Sequence, residues 1–171
     1  MAGTTGRVVV GVSGSLGNLA ALRRAVAEAR QRGLGLVAVH VWAPPGGEVG
    51  YRNAPCPELA KVWAGAAEAR LHTAFAEAFG GYPADLEVRP LVVRCESVGR
   101  ALCEIAERDE DLLVLGAGRR GALARLHHGH VARHVLAHAR CPVLAVPWIS
   151  PFAAQRKELR QLHHIGPAGA A

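Results

Sequence analysis

The sequence lacks the long apolar runs that membrane spans and signal peptides require. No uninterrupted apolar stretch approaches the roughly eighteen residues of a membrane span, and the N-terminus (MAGTTGRVVV) has no basic segment followed by a long apolar one. From these absences we expect a cytoplasmic protein with no membrane partner. Apolar residues make up 50% of the 171 residues, which suits a globular domain with a substantial core.

Lysine and aromatic residues are also scarce. The formal charge of +6 comes almost entirely from arginine, because Lys61 and Lys157 are the only lysines, and the arginines are scattered among glutamates. Aromatic residues account for 5% of the chain and do not alternate with basic ones. Proteins that bind nucleic acid by charge and base stacking have both features, so no nucleic-acid partner is predicted.

The motifs of common catalytic sites are missing as well. The cysteines have no C-x-x-C spacing, which predicts reduced thiols. Gly11, Gly14 and Gly17 do not fit the dinucleotide-binding fingerprint, and no G-K-[ST] follows them. No paired carboxylates, Ser-His-Asp arrangement or Mg²⁺-binding acid after a strand can be identified. We therefore predict no catalytic residue and expect a protein that is not an enzyme.

Histidines recur at intervals of three and four along the last predicted helix, at His127, His130, His134 and His138. Such spacing can place zinc ligands on one side of a helix, but no nearby Cys, Asp or Glu completes a ligand set, so no metal is predicted. A partly solvated helix face is the simpler interpretation. A pH-sensing role is a second hypothesis, because imidazoles that charge together below about pH 6.5 repel one another.

Short apolar strands alternate with helical segments through the chain. Strands are predicted at 7–12, 34–42, 86–93, 112–115 and 143–146, with four helices between them, the first capped by Asn18. Residues 43–57, rich in Pro and Gly, are predicted to form a mobile loop. Right-handed crossovers between such strands predict an α/β fold with an open parallel sheet, whose ligands bind beyond the carboxyl ends of strands 1 and 4.

The most informative stretch is residues 111–147, DLLVLGAGRRGALARLHHGHVARHVLAHARCPVLAVP, which predicts a strand, a Gly- and Arg-rich loop, a helix and a second strand. Gly116, Ala117 and Gly118 follow the first strand, and Gly129 is expected near the start of the helix. Small residues let the loop backbone approach an anion, and a helix N-terminus attracts one. A phosphate site between Gly116 and Gly129 is therefore predicted.

This stretch resembles the universal stress proteins, whose ATP-binding members carry G-x2-G-x9-G-[ST] before the last helix and a Cys-Pro-Val-like entry to the fifth strand. The matching residues are Gly116, Arg119, Gly129, His130, Cys141, Pro142 and Val143. Arg119 and His130 depart from the signature, and the alternative G-x2-G at Gly118 and Gly121 leaves only seven residues before Gly129. The side chains of Arg119, Arg120 and His130 still offer charge to a phosphate.

The resemblance covers residues 5–148 and implies one domain over residues 1–148. It implies a doubly wound five-stranded parallel sheet of order 3-2-1-4-5 with helices on both faces, which is Rossmann-like, of the adenine nucleotide alpha hydrolase-like type. It also implies a homodimer that pairs through strand 143–146 of each subunit. Residues 149–171 extend beyond the family core, and we expect either a short helix or a disordered tail there.

The implied function is a non-enzymatic, dimeric stress-response module with a weak site for ATP or AMP in the loops after strands 1 and 4. The nucleotide-binding residues that this assigns are Val12, Ser13, Gly14, Val41, Gly116, Gly118, Arg119, Gly129, His130 and Val131. Family members typically have Asp at the position of Ser13, which as a serine also suits a simple turn. Two alternatives stay open: a nucleotide-independent scaffold of the same fold, and a small nucleotide-dependent enzyme that uses the same cleft.

Overall fold

The structure is a computed structural model that describes residues 6–14, 16–117 and 124–147. Within these ranges it contains five strands and five helices. The strands are β1 (Val8–Gly11), β2 (Leu36–Trp42), β3 (Val88–Arg94), β4 (Leu112–Gly116) and β5 (Val143–Val146). The helices are α1 (Leu16–Arg32), α2 (Gly47–Asn53), α3 (Pro57–Phe79), α4 (Val98–Ile105) and α5 (Ala124–His138). The predicted extension at 149–171 lies outside the described residues.

The strands form one parallel sheet in the order β3-β2-β1-β4-β5, which confirms the predicted fold. β1 lies at the centre, with Val10 paired to Ala38 of β2 and to Val114 of β4. Val8 and Val10 are completely buried, because this strand is flanked on both edges and covered on both faces. A continuous β-branched run is what such a position favours.

Helices cover both faces of the sheet. On one face α1 and α3 bury Leu22 and Phe75 against strand residues that include Val10. On the other face α4 and α5 bury Leu102 and Val135 against the intervening strand residues. This alternation follows from the strand geometry, since successive side chains point to opposite faces of a sheet. None of the helices in the described part of the chain combines the length and apolarity that a membrane crossing requires.

Two local predictions were wrong. Residues 43–57 do not form a continuous loop, because α2 occupies residues 47–53. Gly46 precedes this helix and Gly47 is its first residue, and both have positive φ. Asn18 does not cap α1, which begins at Leu16. Its side chain instead makes hydrogen bonds to the backbone of Gly11 and Ser13, before the helix. Asn18 therefore does bond backbone groups, as expected of this residue type, but those of the preceding turn and not those of the helix N-terminus.

Candidate functional site

The carboxyl ends of β1 and β4 leave the sheet at the same level. Val10 pairs with Val114, so the register brings Val12 level with Gly116 two residues further along each chain. β1 is the strand from which the sheet order proceeds in opposite directions, to β2 on one side and to β4 on the other. The crevice beyond these strand ends is the usual ligand position in such a sheet. Val12 and Gly116 of the predicted site therefore lie at this crevice.

The end of β2 adds a third wall to the crevice. Gly11 pairs with Val39, which brings Ser13 level with Val41. The Val12 N–H donates to the Val39 carbonyl at 2.7 Å, and the Val12 carbonyl lies 2.7 Å from Nδ1 of the buried His40. His40 thus fixes the backbone where β1 ends. The structure brings Val12, Ser13 and Val41 together, as the predicted site requires.

The turn after β1 is held by the side chain of Asn18. The Ser13 N–H donates to Oδ1 of Asn18 at 2.9 Å, and Nδ2 of Asn18 donates to the Gly11 carbonyl at 2.8 Å. These two bonds tie the end of β1 and the turn to the first residues of α1. Gly14 has a φ of 73°, and no atom lies within 4 Å of the place that a Cβ would occupy. The turn therefore exposes its backbone to the space beyond the sheet.

A cavity of about 300 Å³ opens beside this turn. One wall is formed by Ser13 and Gly14. The other is one side of α3, with the residues Ala69, Arg70, Thr73, Ala74 and Glu77. Sequence reasoning missed the α3 wall altogether, although the spacing of Arg70, Thr73 and Glu77 by three and four residues is the signal of a polar stripe on one helix face.

The structure describes only the first residues of the predicted site after β4. Gly116 pairs with Val146, and the Ala117 N–H donates to the Val146 carbonyl at 2.8 Å, so the chain follows β5 for one residue beyond the strand. Gly118 and Arg119 lie outside the described residues. The predicted phosphate loop is therefore described only as far as Ala117.

Gly129 and His130 lie deeper in α5 than we expected. The helix begins at Ala124, so Gly129 is its sixth residue and not part of its first turn. Only the first four N–H groups of a helix lack a partner within it, so the N–H groups of Gly129 and His130 are not those that a helix N-terminus offers to an anion. The side chain of His130 is exposed, whereas Val131 packs on the cluster that contains Val135. The expectation that Gly129 stands near the helix start was wrong.

A charged and aromatic cluster closes the neighbouring strand ends. Arg94 pairs with Trp42 where β3 and β2 end, and its guanidinium donates two hydrogen bonds to Glu48 of α2. The same guanidinium lies 4.3 Å from the ring centroid of Tyr51 and 5.6 Å from that of Trp42. The hydrogen bond and charge of Arg94 hold the pKa of Glu48 below its ordinary value. The backbone N–H of Glu48 also donates to Glu96. We call Glu48, Tyr51 and Arg94 the α2 clamp.

The histidines of α5 are brought together only in part. The rings of His134 and His138 stack with centroids 4.3 Å apart, and Nδ1 of His138 lies 2.8 Å from the His134 carbonyl. Across from them α4 packs closely, since a Cβ on Gly99 would lie 3.0 Å from His134. Among the residues that the structure describes, no group of three or more His, Cys, Asp and Glu side chains is arranged to hold a metal ion.

Known proteins share this chain's sequence pattern and fold. A family model described as the universal stress protein family matches residues 4–147. A universal stress protein of Mycobacterium tuberculosis is 32% identical over 141 residues, which is 80% of this chain and 42% of the relative. The chain thus spans less than half the length of the curated relatives that it matches.

Solved structures extend the comparison. A universal stress protein from Archaeoglobus fulgidus superimposes with a TM-score of 0.53 at 25% identity, over 82% of this chain and 98% of that one. A universal stress protein crystallised in complex with cAMP superimposes with a TM-score of 0.51, also at 25% identity, over 84% of this chain and 97% of that one.

Proposed function

This chain belongs to the universal stress protein family, and we propose that it is a non-enzymatic stress-response module that binds an adenine nucleotide, ATP or AMP, in the crevice beyond β1 and β4. The observation that carries the proposal is the convergence of Val12, Ser13, Val41 and Gly116 at one level of the sheet edge. The complex of a related protein with cAMP supports the ligand class.

The crevice suits a nucleotide through backbone more than through side chains. The turn at Ser13 and Gly14 exposes its backbone and is held by Asn18, so it is preorganised for a ligand. The end of β2 at Val41 offers backbone groups to the edge of a base. Contacts of this kind survive side-chain changes, which is why the site can persist although Ser13 replaces the acid typical of the family.

We propose weak binding because two signature positions have changed. Arg119 and His130 stand where the signature has a glycine and a hydroxyl. Each charge-assisted hydrogen bond to a phosphate contributes roughly 1.5–3 kcal/mol, so losing two weakens binding by a factor of roughly hundreds. The positive charges of Arg119, Arg120 and His130 would offset part of this loss of affinity.

We further propose that the protein acts in the cytoplasm as a homodimer. β5 is the last strand of the sheet order, and within the described residues its outer edge pairs with no other strand. Val143, Leu144 and Val146 of this strand are only half-buried. Pairing with β5 of a second copy would cover an apolar edge that otherwise invites aggregation.

Calorimetric titration of the nucleotide-stripped protein with Mg-ATP and with AMP tests the proposal. We expect saturable binding that a Gly14→Val variant, which puts a side chain on the turn beside the crevice, weakens and a Gly33→Val variant keeps. Gly33 is the matched control because it is also an exposed glycine with positive φ and open space around its Cα, but it lies before β2 at the opposite edge of the sheet. Absence of binding at about 1 mM ATP would contradict the proposal and leave the family fold as a nucleotide-independent scaffold.

A further inference from the structure

The cavity between the β1–α1 turn and α3 shares the turn with the site that the family resemblance assigns, but its α3 wall is not part of that site. Its walls are the turn residues Ser13 and Gly14 on one side and α3 on the other, and it has a volume of about 300 Å³. That volume is at the lower end of the range for small-molecule sites. It adjoins the crevice through Ser13, which stands level with Val41.

The cation in this cavity is Arg70. Among the described residues it makes no ion pair or hydrogen bond, although most arginines that the structure describes are engaged. Ion pairs are formed by Arg7, Arg24, Arg30, Arg32, Arg94 and Arg100. An exposed guanidinium that faces a cavity keeps its five N–H donors for a ligand, and its planar fork matches a phosphate.

The remaining polar groups fit an anionic ligand at the Arg70 end. Thr73 lies one turn from Arg70 on the same wall and adds a hydroxyl. Gly14 has open space around its Cα, so the turn backbone can approach a ligand closely. Among the described residues that line the cavity, Glu77 is the one acid, but it stands two helical turns from Arg70 and the two side chains form no ion pair.

We propose that this cavity is a phosphate-chain site in which Arg70 is the charge-recognising residue, so that the protein distinguishes ATP from AMP and adenosine. The inference rests on the proposed function, because the phosphates in question are those of the bound nucleotide. It assigns to α3 a contact that compensates for the changed signature positions Arg119 and His130. Recognition then depends on the number of phosphates rather than on the base.

The test titrates wild type and three variants with ATP, AMP, adenosine and inorganic tripolyphosphate. Arg70→Gln is the test variant. Arg89→Gln is its control, because Arg89 is an exposed arginine on β3 that lies outside the cavity and has no ion pair or hydrogen bond within the described residues. Glu77→Gln removes the opposite charge from the same wall. Thermal unfolding of each variant checks that the fold is retained.

We expect Arg70→Gln to weaken ATP and tripolyphosphate binding about tenfold, with a smaller effect on AMP and none on adenosine. Arg89→Gln should leave all four affinities within about twofold, and Glu77→Gln should leave ATP affinity unchanged or raise it. Equal ATP affinity in the Arg70 and Arg89 variants would overturn the inference while the proposed function stands. Tripolyphosphate binding that depends on Arg70, without any ATP binding, would support the cavity and overturn the nucleotide function. Binding of neither ligand would overturn both.

Discussion

Arg94 at the end of β3 donates two parallel hydrogen bonds to Glu48 of α2, from Nε to Oε1 at 2.7 Å and from Nη2 to Oε2 at 2.8 Å. The pair is about two-thirds buried, with side-chain exposures of 32% and 31%. α2 buries no residue of its own. Polar contacts and the stacking of Arg94 on Tyr51 therefore attach this helix to the carboxyl ends of β2 and β3.

Replacing Glu48 by Gln should release α2 while the sheet stays folded. The amide keeps the shape of the side chain but loses the charge that makes the bidentate pair strong. Hydrogen exchange should become faster at residues 47–53 and remain unchanged in β1 and β4, which mass spectrometry of peptic fragments can resolve. Glu58→Gln is the matched control, since Glu58 pairs with Lys61 at 3.2 Å on an exposed helix face. Equal exchange at 47–53 in both variants would show that the α2 clamp does not hold the helix.

Acid should release α2 in the wild type as well. Because the pKa of Glu48 is lowered in the folded protein, the pair contributes stability above the ordinary glutamate pKa, and that contribution is lost as pH falls through the folded value. Exchange at 47–53, corrected for the intrinsic pH dependence, should therefore rise at acidic pH. The Glu48→Gln variant should show no such rise, and a rise of the same size in that variant would assign the effect to another group.

Asp111 and Arg7 tie the starts of β4 and β1 together. Asp111 is 1% exposed and accepts hydrogen bonds from the Arg7 backbone N–H at 2.8 Å and from Nη2 at 2.7 Å. Breaking a buried pair leaves an uncompensated charge, so Asp111→Asn should lower the free energy of unfolding by about 3 kcal/mol. Asp85→Asn, which breaks an exposed pair with Arg30, should change it by less than about 1 kcal/mol. Urea titrations measure both, and equal losses would contradict the prediction.

The Asp111 pair also sets a pH dependence. Burial alone raises the pKa of Asp111, but the hydrogen bonds and charge of Arg7 outweigh it and hold the pKa below its ordinary value. The stabilisation is therefore present above the ordinary aspartate pKa and lost as pH falls through the folded value. The difference in unfolding free energy between wild type and Asp111→Asn should shrink as the solution is acidified below that ordinary value.

Gly6 is required by the close approach of the chain to residue 110. A Cβ at this position would lie 2.0 Å from the Glu110 carbonyl oxygen, and a backbone atom cannot move away as a side chain can. Gly6→Ala should lower the free energy of unfolding by about 2 kcal/mol. Gly65→Ala, with nothing within 4 Å of the added methyl in the middle of α3, should raise it by about 1 kcal/mol. Urea titration measures the free energy of unfolding of both variants. A change of the same sign in the two would contradict this interpretation.

The sheet was predictable because its strands are short apolar runs whose burial on both faces is visible in the sequence, as at Val8–Gly11. α2 was not predictable, because it has no buried apolar stripe and is attached by Arg94, which is distant in the sequence. The beginning of α5 was placed too late for a different reason. The prediction gave weight to Gly129, whereas the good helix formers Ala124, Arg125 and Leu126 stand before it and belong to the helix.

The resemblance to the universal stress proteins assigned Val12, Ser13, Val41 and Gly116 to one site. Their proximity in the structure results from parallel pairing, because strand register fixes which residues meet at one edge of the sheet. Arg70 was not found, because a polar residue on a long helix is ordinarily solvated, and only the tertiary position of α3 shows that it faces the turn at Gly14.

The most direct measurement is the pattern of backbone amide shifts when isotopically labelled protein is titrated with ATP. Nucleotide binding in the crevice predicts that the largest shifts cluster at Ser13, Gly14, Val41 and Gly116, with smaller ones at Arg70 and Thr73 of α3. Residues at the opposite edge of the sheet, such as Gly35 and Asp111, should not move. Shifts confined to that edge, or the absence of any saturable shift, would contradict the claim that this sheet edge binds an adenine nucleotide.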